Sequence, residues 1–171
     1  MGHGKKYSRD SILKVLVTAK EFVIYVYHIT SNDKQFSKGL RASLVQDLRS
    51  TSLDMYLTLK EANSIYPSTK EAYKKRYKLQ KKARRLLFRV EAMMDIAFQI
   101  ANPNNTNFWA ELFTQVFKEL KLWMESERKR YKGKLPSEDE LHLIRKKQAA
   151  LEKQRRKVKR NEDGFIIIKR K

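Results

Sequence analysis

Between positions 8 and 127, apolar residues recur at helical spacing in four successive segments, and little interrupts them: the 171-residue chain has only 5 Gly and 3 Pro. Ile12, Val15, Leu16, Ala19, Phe22, Val23, Val26 and Ile29 follow an i, i+3, i+4, i+7 pattern, which predicts a first helix over about 8–30. The run VIYVY inside it has the β-branched and aromatic make-up of a strand. The stripe continues for several turns on both sides, and that favours helix. The turn cluster TSNDK closes the segment.

A second stripe, Leu40, Leu44, Leu48, Met55, Leu59 and Ala62, with Val45, Leu53 and Tyr56 beside it, predicts a helix over about 38–65. The poor helix formers of RSTS (49–52) place a bend within it. Pro67 then disfavours helix at Tyr66, and Ser68 with Glu71 three residues on reads as a capping box that starts a third helix near Thr69. This helix runs through Met93, Met94 and Ala97 to Ile100, where NPNNTN breaks it. The fourth begins near Thr106 or Asn107, carries Trp109, Leu112, Phe113, Val116, Leu120 and Trp123, and stops near Gly133.

Four amphipathic helices joined by short polar connections predict an all-α protein, an antiparallel up-down four-helix bundle over 1–131. A basic C-terminal extension, helical or disordered, covers 132–171. Pro136 and Ser137, with Glu140, open another capping box there, and the helix that follows has a thin apolar face of Leu141, Ile144, Leu151 and Val158. Phe165 to Ile168 is apolar and β-branched, suited to a strand added to another protein's sheet edge, to a clamp onto the bundle, or to a disordered end.

Charge narrows the partners. The net charge is +20, with 34% charged residues. A field of that size attracts polyanions, nucleic acid first and an acidic membrane surface second. Much of the charge sits in KEAYKKRYKLQKKARRLLFRV (70–90). On a wheel of about 100° per residue, Ala72, Leu79, Ala83, Leu86, Val90, Met93 and Ala97 share one sector and belong to the core. Lys70, Lys74, Lys78, Lys81, Arg85 and Arg89 lie opposite, with Lys75, Lys82 and Arg84 widening that side. Solvated helix backs mix signs and gain i, i+4 pairs; here Glu71 is the only acid before Glu91. Tyr73 and Tyr77 flank the ridge and are placed to stack on bases or sugars. The candidate nucleic-acid site is therefore this ridge with its two tyrosines, joined by Arg155, Arg156 and Lys157 of the extension. The basic side has no row of Trp, Phe or Leu for membrane insertion.

No catalytic or metal site is legible. With no cysteine there are no disulfides, thiolate metal sites or Cys nucleophiles. His3, His28 and His142 lack partners at metal-ligand spacing. Glu91 and Asp95 are i, i+4, but the Glu-x-x-His motifs of a di-metal bundle are missing. Phosphate-binding Gly loops and nucleophile elbows are missing too. The expectation is a non-enzyme without catalytic residues, metal or cofactor. MGHGKKYSRD has no apolar signal core, and Lys6 stands where a myristoylation site wants Ser or Thr. No apolar run approaches a bilayer span. A cytoplasmic setting is expected. Tyr25, Tyr27, Tyr56, Phe88, Phe98, Phe117 and Met124 exceed the inner stripes and suggest buried faces between subunits.

QFSKGLRASLVQDLRSTSLDMYLTLKEAN (35–63) resembles the central signature of a family of small four-helix-bundle proteins. The likeness lies in the aromatic and basic opening (Phe36, Lys38, Arg41), a Leu-rich helix (Leu44, Leu48) and the closing Glu61, Ala62 and Asn63. AMMDIAFQI, the Asn-rich turn and ELKLWMES are similar to its third and fourth helices, so the resemblance spans about 7–127. Ser37 stands where the family often has Pro. The family includes the accessory variability determinant proteins of diversity-generating retroelements and the proteins encoded by intervening sequences in bacterial 23S ribosomal RNA genes. The first branch implies a bacterial or phage-encoded homopentamer. It would bind a reverse transcriptase with its template RNA, and cDNA or DNA as further candidates, in mutagenic retrohoming. The second branch implies a structural or ribosome-associated role. The basic ridge and extension favour the first.

Overall fold

A computed structural model describes the backbone of residues 9–101, 103 and 106–168, and the side chains of 14–101, 103 and 106–155. Among the described residues the protein is all-α, a helical bundle without strands. Helix α1 spans Arg9–Thr30. Helix α2 has three parts: a turn at Lys38–Leu40, a π-helical segment at Arg41–Val45 and α-helix over Gln46–Ser64. Helices α3 (Lys70–Ala101), α4 (Thr106–Tyr131) and α5 (Glu138–Ile168) follow.

The first four helices enclose one core. α1 packs on α2, α2 on α3, α3 on α4, and α4 returns to α1. Phe22 and Val26, Leu48 and Met55, Leu87 and Val90, and Trp109 and Val116 are buried there. Phe98 meets Trp109 edge to face at 5.1 Å, a geometry worth about 0.5–1.5 kcal/mol beyond the area buried. The VIYVY run is helical, because Phe22, Val23, Val26 and Ile29 all reach this core.

The irregularity of α2 lies at its start. The Ser37 hydroxyl accepts from Leu40 N–H at 3.4 Å and caps the first turn. The wider π turns follow at once. At 49–52, where a bend was expected, the α-helix is regular, because its polar side chains are tied down. Arg49 Nε donates to Thr30 Oγ1 at 2.8 Å and its Nη2 to Ser31 Oγ at 2.9 Å. A cation thus sits at the C-terminal end of α1, where the helix dipole favours it. Ser52 Oγ donates to Leu48 O at 2.7 Å.

The start of α3 departs from the capping-box expectation as well. Thr69, rather than Ser68, is the cap, its Oγ1 accepting from Ala72 N–H at 3.1 Å. Glu71 does not fold back; its carboxylate accepts from Glu138 N–H at 3.1 Å. At α5 the box forms as expected. Ser137 N–H donates to Glu140 Oε2 at 2.6 Å, and Glu140 N–H to Ser137 Oγ at 3.2 Å. Lys70 N–H donates to Pro136 O at 2.9 Å, so the two helix starts are laced together. Gly133, at φ +74, takes the left-handed conformation that ends the α4 region.

Past its first turn the described part of α5 is exposed: Leu143, Ile144 and Leu151 retain 52, 44 and 59% of their accessible surface. Its helix includes 165–168, so the strand reading of that run does not hold for the backbone. The side chains of Val158 and of 165–168 lie outside the described residues, as does that of Ile12. No helix among the described residues is long and apolar enough to cross a membrane.

Candidate nucleic-acid interface

The core line of α3 is a heptad: Arg76, Gln80, Ala83, Leu87, Val90, Met94 and Ala97 are buried. Leu79, Leu86 and Met93, read from the sequence as core, are partly buried beside it, and Ala72 is half-buried. The buried face is thus rotated by roughly 50° from the apolar stripe, on 100° per residue. The cause is α4. Glu127, itself buried, forms an ion pair with Arg76 Nη2 at 2.5 Å and accepts from Gln80 Nε2 at 2.9 Å and from Trp123 Nε1 at 2.7 Å. Arg76 also donates to Ile65 O at 2.8 Å and lies 5.0 Å over the Trp123 ring. The side chains of Arg76 and Glu127 are only 6% and 5% exposed. Such a pair is tolerable only with this many hydrogen bonds around it.

Rotating the core line leaves the ridge facing outward. Lys74, Lys78, Lys81, Arg85 and Arg89 are exposed, as are Lys75 and Lys82 on the flank away from α4. Among the described residues none of these seven forms an ion pair. Lys70 differs, with its Nζ 3.5 Å from Glu140 Oε2. Glu140 is held below the usual carboxylate range, first by the Ser137 backbone N–H, then by the Ser137 hydroxyl and Lys70. Lys70 therefore serves the junction with α5 as well as the ridge. Arg155 is exposed on α5; the side chains of Arg156 and Lys157 lie outside the described residues.

Tyr73 and Tyr77 sit beside the ridge on the α4 side, half-buried rather than free. They stack at 6.0 Å, and Tyr73 leans on Tyr131 of α4 at 6.1 Å. Burial pushes the Tyr73 hydroxyl above its ordinary pKa, helped by Tyr77 and Glu127 and opposed by Arg128. Lys81 Nζ lies 5.4 Å from the Tyr77 ring centre.

Below the ridge a groove of about 160 Å³ opens between α3 and α4, lined by Tyr77, Arg84, Lys121, Met124, Glu125 and Arg128. Arg84 rests over Phe88 and Phe117, at 5.6 and 5.4 Å from their ring centres. The sequence reading had Arg84 only as an edge of the ridge and left out Lys121 and Arg128. Their i, i+7 spacing on α4 is the signal that points to a shared face. A wider groove between α1 and α4 pairs Lys14 and Lys118 with Glu111 and Glu119, so it has no preference for an anion.

Among the residues assigned to subunit faces, Met124 is core, while Tyr25, Tyr56, Phe98 and Phe117 pack against the core of their own chain. Tyr27 and Phe88 are exposed, as are Val17 and Ile24 of α1 and Leu53 and Leu57 of α2. His28 is exposed at the end of α1, and Glu91 and Asp95 are exposed on α3. Among the described residues no three His, Asp or Glu side chains gather as metal ligands. Comparison with family models, with curated protein sequences and with solved structures gives no match for this chain.

Proposed function

We propose that this protein is a non-catalytic RNA-binding subunit that serves the reverse transcriptase of a diversity-generating retroelement, holding template RNA along α3 during mutagenic cDNA synthesis. The observation that carries the reading is the outward face of α3. Seven exposed Lys and Arg side chains, without ion pairs among the described residues, cover several turns. Such a face repels itself and gains most from phosphate contacts that release counterions. The retroelement setting rests on the resemblance of 35–63, with the cytoplasm as its compartment. A homopentamer is part of the same reading. The exposed Val17, Ile24, Leu53 and Leu57 support it, since α1 has three basic and two acidic residues and α2 four and three, and nearly neutral faces can meet in a strongly cationic chain.

A salt titration of single-stranded RNA binding tests the ridge. Changing Lys74, Lys78, Lys81 and Arg85 together to Gln should flatten the slope of log K against log salt by up to about 3, at about 0.7 per phosphate contact. An unchanged slope removes the ridge from the interface. Purification from native cells then tests the setting. The reading expects a reverse transcriptase and its template RNA with the protein. Recovery of ribosomal RNA without a reverse transcriptase would favour the ribosome-associated branch, and light scattering that shows a monomer at micromolar concentration would remove the pentamer.

A further inference from the structure

We propose that the seam between α3 and α4 is a base-stacking subsite, which makes the RNA track selective for single strands over duplex. The inference rests on the RNA-binding reading above and adds to it a place for a base. A row of lysines on one helix face contacts phosphates alone, and phosphates are common to single strands and duplexes. The seam offers something a duplex cannot use. Its floor is the Tyr77 ring and Met124; its rim carries three cations, Arg84, Lys121 and Arg128, against one acid, Glu125. The volume of about 160 Å³ is many times the ~10–15 Å³ that holds one water molecule.

Two features prepare the site. Tyr77 is backed by Tyr73, which stacks on it with ring planes 25° apart, so the platform needs little ordering when a base arrives. Arg84 is steadied over Phe88 and Phe117, and a guanidinium resting on a ring by its face still offers its N–H edge to phosphate. The groove also joins the ridge directly: the Lys81 ammonium lies over the same Tyr77 ring that lines the groove, and an incoming base displaces it from the ring towards the strand's phosphates. A strand whose phosphates follow Lys74, Lys78 and Lys81 thus passes beside the groove, and an unpaired base can turn into it. In A-form duplex the bases are stacked and paired, and their faces are closed to such a platform.

The test uses the full chain, a 12-nucleotide single-stranded RNA carrying one 2-aminopurine, and a blunt RNA duplex of equal length. Single-stranded RNA should bind at least about tenfold more tightly than duplex, in keeping with the stacking contribution of one base, and 2-aminopurine fluorescence should be quenched on binding. Tyr77→Leu should abolish both the quench and the preference for single strands. Tyr77→Phe, which keeps the ring, should retain both and guards against a Leu variant that fails to fold. Arg84→Gln, Lys121→Gln and Arg128→Gln together should weaken single-strand binding more than duplex binding. Equal affinity for the two probes, or a preference and quench that survive Tyr77→Leu, overturns the subsite while the ridge still binds RNA. Binding of neither probe overturns the RNA-binding reading and the subsite with it.

Discussion

α3 and α5 are almost the same length, 32 and 31 residues, and both are rich in Lys and Arg. α3 lies in the bundle, with seven buried positions in a heptad, while α5 leaves Leu143, Ile144 and Leu151 largely open and is held at its start by the lacing to Lys70 and Glu71. The difference shows what lets so basic a helix enter a core. α3 has more apolar residues on one side, but its first two buried positions are Arg76 and Gln80. They are inside because Glu127 of α4 meets them there. On α5 the apolar stripe beyond the first turn is thin and stays exposed at Leu143, Ile144 and Leu151, which is too little to hold the helix down.

The largest expected effect breaks the α3 side of this contrast. Glu127→Ala removes the ion-pair partner of Arg76 and the acceptor for Gln80 and Trp123 and leaves a buried guanidinium uncompensated, at a cost of about 3–5 kcal/mol. Chemical denaturation should show the loss. A change below about 1 kcal/mol would mean that the buried pair does not hold α3 to α4.

A paired truncation sharpens the comparison. Leu87→Ala in the core line of α3 should cost about 2–5 kcal/mol, whereas Leu151→Ala on α5 should stay within about 0.5 kcal/mol. Similar costs at both sites would show that α5 packs as α3 does.

The remaining effects are local to the α5 junction. Ser137→Ala removes the cap and should cost that helix about 1 kcal/mol, seen as lost far-UV helicity with the unfolding midpoint of the bundle unchanged. Glu140 titrates below its ordinary value of 4.5, so its contribution is full above that pH and is lost as pH falls below it. The carboxyl chemical shift of Glu140 should therefore have its midpoint below 4.5 and move towards 4.5 in Ser137→Ala. A midpoint at or above 4.5 in the native chain would show that the lacing does not form in solution.

The helices and their order were legible because each carries its own 3.6-residue signal. The stripe from Val15 to Ile29 and that from Trp109 to Trp123 lie in the core much as read. Gly133 and the Ser137–Glu140 box were legible too, since turns and caps involve neighbours in the chain. The π turns at Arg41–Val45 were not, because RASLV bears no local mark of them and the expected bend lay further on. The cap at Thr69 was missed because Ser68 matched the same pattern and Glu71 was free to serve either helix start.

At the candidate site the division has the same physical origin. The sequence alone determined the single-signed run of basic residues on α3 and its place on a helix, since periodicity and charge are properties of one segment. Only the tertiary structure decided that Arg76 and Gln80 turn inward, that Tyr73 and Tyr77 lie in a seam, and that Arg84, Lys121 and Arg128 share a groove. A polar side chain is buried or exposed according to the partner that a distant segment brings. For Gln80 that partner is Glu127, 47 residues further along the chain, where the hydropathy of α3 does not reach.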